Sequence, residues 1–89
     1  MPNYYVYILK SKKTGKYYIG QTNNLEDRLS RHNEGRVRST KSGRPWDLLV
    51  YYRCSSREEA LKLEKKLKSL KNRRSLEEYI AVNPGEIKA

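Results

Sequence analysis

Apolar residues recur along this chain first at strand spacing and later at helical spacing. From Tyr4 to Lys10 the positions are dense in β-formers and apolar in succession, the pattern of a strand covered on both faces. Lys12-Lys13-Thr14-Gly15 follows as a turn, and Lys16 to Gly20 returns as the second strand of a hairpin. With a four-residue loop, Ser11 pairs with Lys16, Tyr7 lies opposite Gly20 and Leu9 opposite Tyr18. Tyr7 and Tyr18 are then diagonal neighbours on one face, and Gly20 leaves open space beside the Tyr7 ring for a substrate. A two-residue turn shifts the pairing by two and keeps the same faces.

The helical period begins next. Asn23 to Asn33 reads as a first helix, with Leu25 and Leu29 on its core side. Asn23 with Glu26, or Asn24 with Asp27, can cap it, and Gly35 is a suitable stop. Arg28 and His32 are four apart and so lie along one line of that helix. Trp46 to Tyr52, introduced by Pro45, is a third strand. Ser56 with Glu59 caps a long second helix ending near Lys71, and Ser75 with Glu78 caps a short third one stopped by Pro84-Gly85. The order ββαβαα, without repeated βαβ units, predicts an α/β fold of the α+β type: a small three-stranded antiparallel sheet flanked by helices. No repeat or long linker divides the 89 residues, which suit one domain, 1–89, with one core.

Composition changes the picture in two ways. Only 36% of residues are hydrophobic and none is phenylalanine, so the eight tyrosines supply much of the bulk. Twenty Lys+Arg against ten Asp+Glu give a formal charge of +10, which favours a polyanionic partner. Arg36, Arg38, Lys41 and Arg44 sit in a Gly/Ser/Thr-rich stretch, and a second basic set runs from Lys62 through Lys65, Lys66, Lys68, Lys71, Arg73 and Arg74. Of these, Arg36, Arg38, Lys41, Arg44, Lys68 and Lys71 are the candidate nucleic-acid contacts. No basic segment has the apolar opposite face that a membrane surface needs. The apolar runs, Leu48 to Tyr52 among them, are only strand length, and no signal-like segment opens the chain, which reads most simply as cytoplasmic. Cys54, the sole cysteine, fits a small residue at a strand end better than a reactive thiol, and no obligate protein partner is evident.

One acid stands out by position. Ala60, Leu63, Leu67 and Leu70 form the apolar stripe of the second helix, and at about 100° per residue Glu64 falls about 40° from Ala60, at the stripe's margin. An acid there must be solvated, paired or ligating a metal. Its ordinary role is a salt bridge to Lys68 or a contact with Arg28. Arg28, His32, Tyr7 and Tyr18 each have ordinary structural roles when taken singly, and Trp46 reads as core before it reads as a stacking surface for bases.

Taken together these residues resemble a known family. Tyr5-Val6-Tyr7, ten intervening residues and Tyr18-Ile19-Gly20 are similar to the paired signature of the GIY-YIG nuclease superfamily. Gln21 to His32 matches its first-helix pattern T-x-N-L-x-x-R-x-x-x-H, and Glu59-Ala60-Leu61-Lys62-Leu63-Glu64 matches the helix that carries its metal-binding glutamate. The resemblance runs from Tyr4 to about Ile80 and is strongest to small stand-alone members, the UPF0213 group. It implies that Tyr7, Tyr18, Arg28, His32 and Glu64 are the catalytic set, with Glu64 the ligand of Mg²⁺ or Mn²⁺. Tyr5 stands where the family has glycine. The family often carries an asparagine after the glutamate helix; Asn72 and Asn83 both fall there, and neither is assigned.

The implied activity is metal-dependent endonucleolytic hydrolysis of phosphodiester bonds in DNA. One carboxylate suits Mg²⁺, which keeps most of its waters, and no second acid is placed beside Glu64 for a two-metal site. Tyr7 or Tyr18 would take a proton from the attacking water, which requires a tyrosine well below its free pKa of about 10. Arg28 would neutralise charge on the transition state, and His32 would assist proton movement or orient a tyrosine. Single-stranded, duplex and branched DNA, and RNA, all stay open. The rivals are a non-catalytic nucleic-acid-binding module of the same fold and a protein-interaction domain with a basic face.

Overall fold

The sheet is built around its first strand. In the computed structural model, which describes residues 3–70 and 72–85, β1 (Tyr4–Ser11) lies between β2 (Tyr17–Thr22) and β3 (Trp46–Cys54), antiparallel to both. The helices are α1 (Leu25–Asn33), α2 (Arg57–Ser69) and α3 (Arg73–Val82), and a 3₁₀ segment, Arg38–Gly43, leads into β3. Val6, Tyr7, Ile8 and Leu9 are all buried, because helices cover both faces of β1. The continuous apolar run expected of a two-sided strand is therefore what the fold uses.

Period-two alternation sorts the core into two halves. Val6 and Ile8 pack with Val50, Cys54, Ala60, Leu67 and Leu76 beneath α2 and α3. Tyr7 and Leu9 pack with Trp46, Tyr18, Leu25 and Leu29 beneath α1. A bulge in β3 serves both halves: Ile8 pairs with Val50 and Leu9 with Leu48, so Leu49 is the extra residue. Val50 and Leu49 thereby join one half and Leu48 the other. Trp46 is core, its ring lying against Gly43 and its indole N–H donating to the Thr40 carbonyl at 2.8 Å. Cys54 is buried at the end of β3, and burial pushes its thiol up, as suits an inert packing residue. Among the described residues no helix is long and apolar enough to cross a membrane.

The hairpin has the four-residue loop. Ser11 N–H donates to the Lys16 carbonyl at 2.9 Å, and the Ser11 hydroxyl accepts from Lys13 and Thr14 N–H at 3.1 and 3.0 Å. Gly15, at φ 75°, supplies the left-handed turn residue. Tyr7 consequently faces Gly20, and Leu9 faces Tyr18.

Capping chemistry sets the helix ends, with two differences from expectation. Asn24, not Asn23, caps α1, its side chain accepting from Asp27 N–H at 3.1 Å. At the other end Gly35, at φ 77°, lets Arg36 N–H reach the Arg31 carbonyl at 2.9 Å. Ser56 caps α2, but the Glu59 carboxylate turns to the hydroxyl and N–H of Ser55 instead of closing a box on Ser56. The cap of α3 is Asn72, accepting from Ser75 N–H at 2.8 Å, so Ser75 lies inside the helix. An asparagine caps as well as a serine, and the earlier start brings Arg73–Glu77 and Arg74–Glu78 into i,i+4 pairs at 3.2 and 3.4 Å. The α2 helix stops at Ser69, and Lys71 lies outside the described residues.

The space at Gly20 is not open. A Cβ there would stand 2.4 Å from the Tyr7 hydroxyl oxygen and 2.6 Å from its Cζ. Gly20 is the gap through which the Tyr7 ring crosses β2, which corrects the expectation of room for a substrate. Gly20→Ala is expected to cost about 1–3 kcal/mol by overpacking, measured as a lower urea midpoint. Tyr7→Phe in the same background should recover little, because the ring carbon still blocks the methyl group.

Candidate active site

By crossing over Gly20, Tyr7 delivers its hydroxyl to α1. The oxygen lies 2.9 Å from His32 Nε2, and both residues are buried, Tyr7 1% and His32 0% exposed. On its other side His32 Nδ1 lies 2.7 Å from Thr40 Oγ1, and that hydroxyl donates to the Val37 carbonyl at 3.3 Å. Because Thr40 spends its proton on Val37, its oxygen accepts from His32 Nδ1–H. Nε2 is then the bare nitrogen that accepts from the Tyr7 hydroxyl. A directed chain results, from Tyr7 through His32 and Thr40 to the backbone.

Burial sets the charge states along this chain. His32 is lowered from 6.5 to about 4, first by loss of solvent and then by the neighbouring Arg28 cation. Tyr7 is raised from 10.0 to about 12, again chiefly by burial, with the adjacent Tyr18 and Glu64 adding to the rise. Arg28 acts the other way, through a hydrogen bond and its charge, and is outweighed. The expected tyrosine with a depressed pKa is therefore not Tyr7 in this state of the molecule. Tyr18 closes the cluster, its ring 5.0 Å from that of His32 at 61° and 6.5 Å from that of Tyr7.

Arg28 stands between this buried chain and solvent. Its Nε is buried without a hydrogen-bond partner, while the residue lines a cleft of about 350 Å³ with Tyr4, Gln21, Thr22, Asn23 and Arg57. Gln21 links this cleft to α2, its amide donating to Glu64 Oε1 at 3.5 Å. The Glu64 carboxylate, 17% exposed, meets Lys68 Nζ at 3.0 Å, so the ordinary pairing expected of it is present. Glu64 sits at the edge of β2 with one carboxylate oxygen on each partner. This donor set fits a hard cation that keeps most of its waters and takes one protein carboxylate. Among the described residues no cluster of three or more His, Cys, Asp or Glu offers an alternative cage.

The remaining sequence candidates divide. Arg38, Lys41 and Arg44 line a shallow pocket on the 3₁₀ segment, joined there by Lys13 from the hairpin. Arg36 lies apart from it, paired with Glu34 at 3.5 Å, and Lys68 is held by Glu64. Lys71 lies outside the described residues. Asn72 and Asn83 serve the two ends of α3, capping it by side chain and backbone. Thr40, Gln21 and Lys13 were not singled out by sequence. Thr40 and Lys13 sit in polar stretches with no periodicity, and Gln21 is an ordinary strand residue until α2 packs beside it.

Two outcomes follow from the buried histidine, the only one in the chain. The unfolded chain takes up a proton near pH 6.5 that the folded protein refuses until about pH 4. This stability is therefore complete above about pH 6.5 and falls away as the pH drops towards 4, by on the order of 3 kcal/mol. Urea denaturation across that window, with NMR titration of the ring, measures it; a ring midpoint near 6.5 would show a solvated imidazole. Thr40→Val is expected to cost about 1–3 kcal/mol and to free the imidazole tautomer, seen in its ¹⁵N shifts, with Thr40→Ser restoring both.

Comparison with known proteins agrees with this fold. The model of the GIY-YIG catalytic domain matches residues 3–78. UPF0213 protein BH0048 of Halalkalibacterium halodurans is 34% identical over 84 residues, covering 93% of this chain and 87% of that protein. UPF0213 protein SH2523 of Staphylococcus haemolyticus is 36% identical over 77 residues, covering 85% and 93%, and YazA of Bacillus subtilis is 35% identical over 79, covering 88% and 78%. The solution NMR structure of the BH0048 protein superposes with a TM-score of 0.60 at 33% identity, over 93% of this chain and 87% of that one. The three-stranded antiparallel sheet with its flanking helices, the domain match and these small relatives together make the chain a member of the GIY-YIG nuclease family, of the stand-alone UPF0213 kind.

Proposed function

We propose that the chain is a divalent-metal-dependent endonuclease that hydrolyses phosphodiester bonds in DNA. The observation that carries this reading is the unmet Arg28 Nε, buried beside a tyrosine whose own proton is already directed onto a histidine. A buried guanidinium donor without a partner is a receptor for an oxyanion. A phosphate in the adjoining cleft meets that need.

Water attacks phosphorus, and the bond to the leaving oxygen breaks. A tyrosine raised to about 12 is not a standing phenolate at neutral pH. Tyr7 instead takes a proton from the attacking water while passing its own to His32 Nε2, 2.9 Å away. Both ring N–H groups of the resulting imidazolium have acceptors, Tyr7 on one side and Thr40 on the other. A bound phosphate offsets Arg28, the cation that otherwise disfavours charge on His32. Arg28 stabilises the charge that develops on the phosphoryl oxygens, and the leaving oxygen takes a proton from solvent. Glu64 would hold Mg²⁺ or Mn²⁺, which when bound supplies charge neutralisation and polarisation at a non-bridging oxygen. Lys68 would then give up its present place on the carboxylate.

One pair of observations favours a second reading, a nucleic-acid-binding module without turnover. Glu64 is already neutralised by Lys68, and Tyr7 is far from ionising. Incubation of single-stranded, duplex and branched DNA and of RNA with Mg²⁺ or Mn²⁺ separates the two. Cleavage of DNA is expected, falling about 10²–10³-fold in Glu64→Gln and in Arg28→Ala. Salt-sensitive binding with no cleavage under either ion would establish the binding module. Cleavage unchanged in both variants would place the chemistry elsewhere.

A further inference from the structure

Away from the Arg28 cleft, the chain gathers cations that no carboxylate answers. Lys13 from the hairpin loop and Arg38, Lys41 and Arg44 from the 3₁₀ segment and its exit line a shallow pocket of about 620 Å³, with Asn33 from the end of α1. Its lining contains no acid, and among the described residues none of the four cations forms a salt bridge. The neighbouring Asp47 is paired with Lys12 at 3.5 Å, and Glu34 with Arg36 at 3.5 Å, so the adjacent acids are used on other cations.

The pocket is held in shape by bonds that do not involve the charges. Asn33 clamps the start of β3, accepting from Trp46 N–H at 2.7 Å and donating to its carbonyl at 3.1 Å. The Ser11 hydroxyl donates to the Gly43 carbonyl at 2.5 Å, and Lys12 N–H donates to the Pro45 carbonyl at 2.9 Å, fixing the hairpin to the segment. Arg44 Nε donates to the Lys41 carbonyl at 2.9 Å, and its guanidinium lies over Gly35, which fixes the place of its charge. Four cations are thus brought together by backbone and neutral side-chain bonds, at a cost in mutual repulsion that an anion would relieve.

We propose that this pocket binds phosphates of a polynucleotide strand flanking the one at Arg28, and so sets where along the strand the cleft engages. The proposal rests on the nucleic-acid reading above and adds Lys13 to it. The strand is favoured over a free anion by placement. The cleft lies at the open end of the β1–β2 hairpin, by Tyr4 and Thr22, and the pocket at its turn, by Lys13; Tyr4 and Ser11 are seven residues apart on β1, about 23 Å, the rise of about seven nucleotides at about 3.4 Å each. One backbone of that length crosses both the Arg28 cleft and the pocket. The 3₁₀ segment that carries Arg38 and Lys41 also carries Thr40, the partner of His32, so the pocket and the buried chain share one support.

Binding without turnover tests this, using the whole chain, EDTA and a labelled single-stranded DNA dodecamer in fluorescence anisotropy. Lys13→Gln/Lys41→Gln is compared with Lys62→Gln/Arg74→Gln, which removes the same charge from exposed positions elsewhere; circular dichroism verifies that both fold. The pocket pair is expected to weaken binding about tenfold and to reduce the slope of log K against log salt by about 1.4, two phosphate contacts at about 0.7 each. The distant pair should change affinity less than twofold. Equal losses in the two pairs would reduce the effect to net charge and overturn the proposal. Pyrophosphate or poly-glutamate binding as tightly as the dodecamer, and losing it equally in the pocket pair, would overturn the strand in favour of a small-anion or acidic-protein site. A chain that cleaves but shows no pocket effect fails this proposal alone; one that shows the pocket effect but never cleaves fails only the nuclease reading.

Discussion

The hydrogen bond from Tyr7 to His32 depends on an absent side chain. Tyr7 starts on the central strand and must reach a helix that lies over the sheet. The direct way is across β2 at the residue opposite it, and that residue is Gly20. Hairpin register, the identity of residue 20 and the position of α1 are therefore one constraint. A register shift of one residue would turn Tyr7 to the α2 side of the sheet and leave the His32 ring buried with a bare nitrogen. The same crossing divides the core, since Tyr7 and Leu9 serve α1 while Val6 and Ile8 serve α2 and α3.

Burial then decides what this bond can do. Taking both groups from water pushes the tyrosine up and the histidine down, which widens the gap in proton affinity between them. In the resting protein the proton stays on Tyr7, and both residues are neutral. Neutrality is what allows them to sit at 1% and 0% exposure beside Arg28 without a second buried charge. Under the proposed function, an anion bound at Arg28 would change that balance by offsetting the one cation that adds to the lowering of His32.

Much of this was legible in the sequence because it is local or periodic. The run Tyr4 to Lys10 reads as a strand covered on both faces, a four-residue loop puts Tyr7 opposite Gly20, and Asn24 (or Asn23), Ser56 and Gly35 mark helix ends through capping chemistry that acts over three residues. Arg28, His32 and Glu64 stood out through the family resemblance, and the structure puts His32 against Tyr7 and Arg28 at the neighbouring cleft. What stayed hidden acts across the chain. Register showed an empty place at Gly20, but only the ring direction shows that Tyr7 fills it. Thr40 lies in a polar stretch where a serine or threonine is unremarkable, and its bond to His32 exists because the 3₁₀ segment folds back on α1. The burial that raises Tyr7 comes from Trp46, Leu25 and Leu29, none of them close to it in sequence. The cap of α3 moved to Asn72 because either residue can cap, and the ion pairs of the longer helix decide between them.

The placement of unpaired charge follows the same separation of support from function. Exposed pairs such as Arg73–Glu77 and Arg74–Glu78 lie on helices, where water screens them and each adds little beyond removing a repulsion. With twenty cations and ten acids, pairing cannot be general, and the surplus must sit somewhere. Part of it sits on the segment whose conformation is fixed by Asn33, Ser11, Trp46 and Thr40 rather than by charge. A 3₁₀ segment clamped by buried neutral bonds does not depend on those cations being neutralised. The fold can therefore leave them available to an anion, and the bonds that tolerate them are the ones that also hold Thr40 against His32.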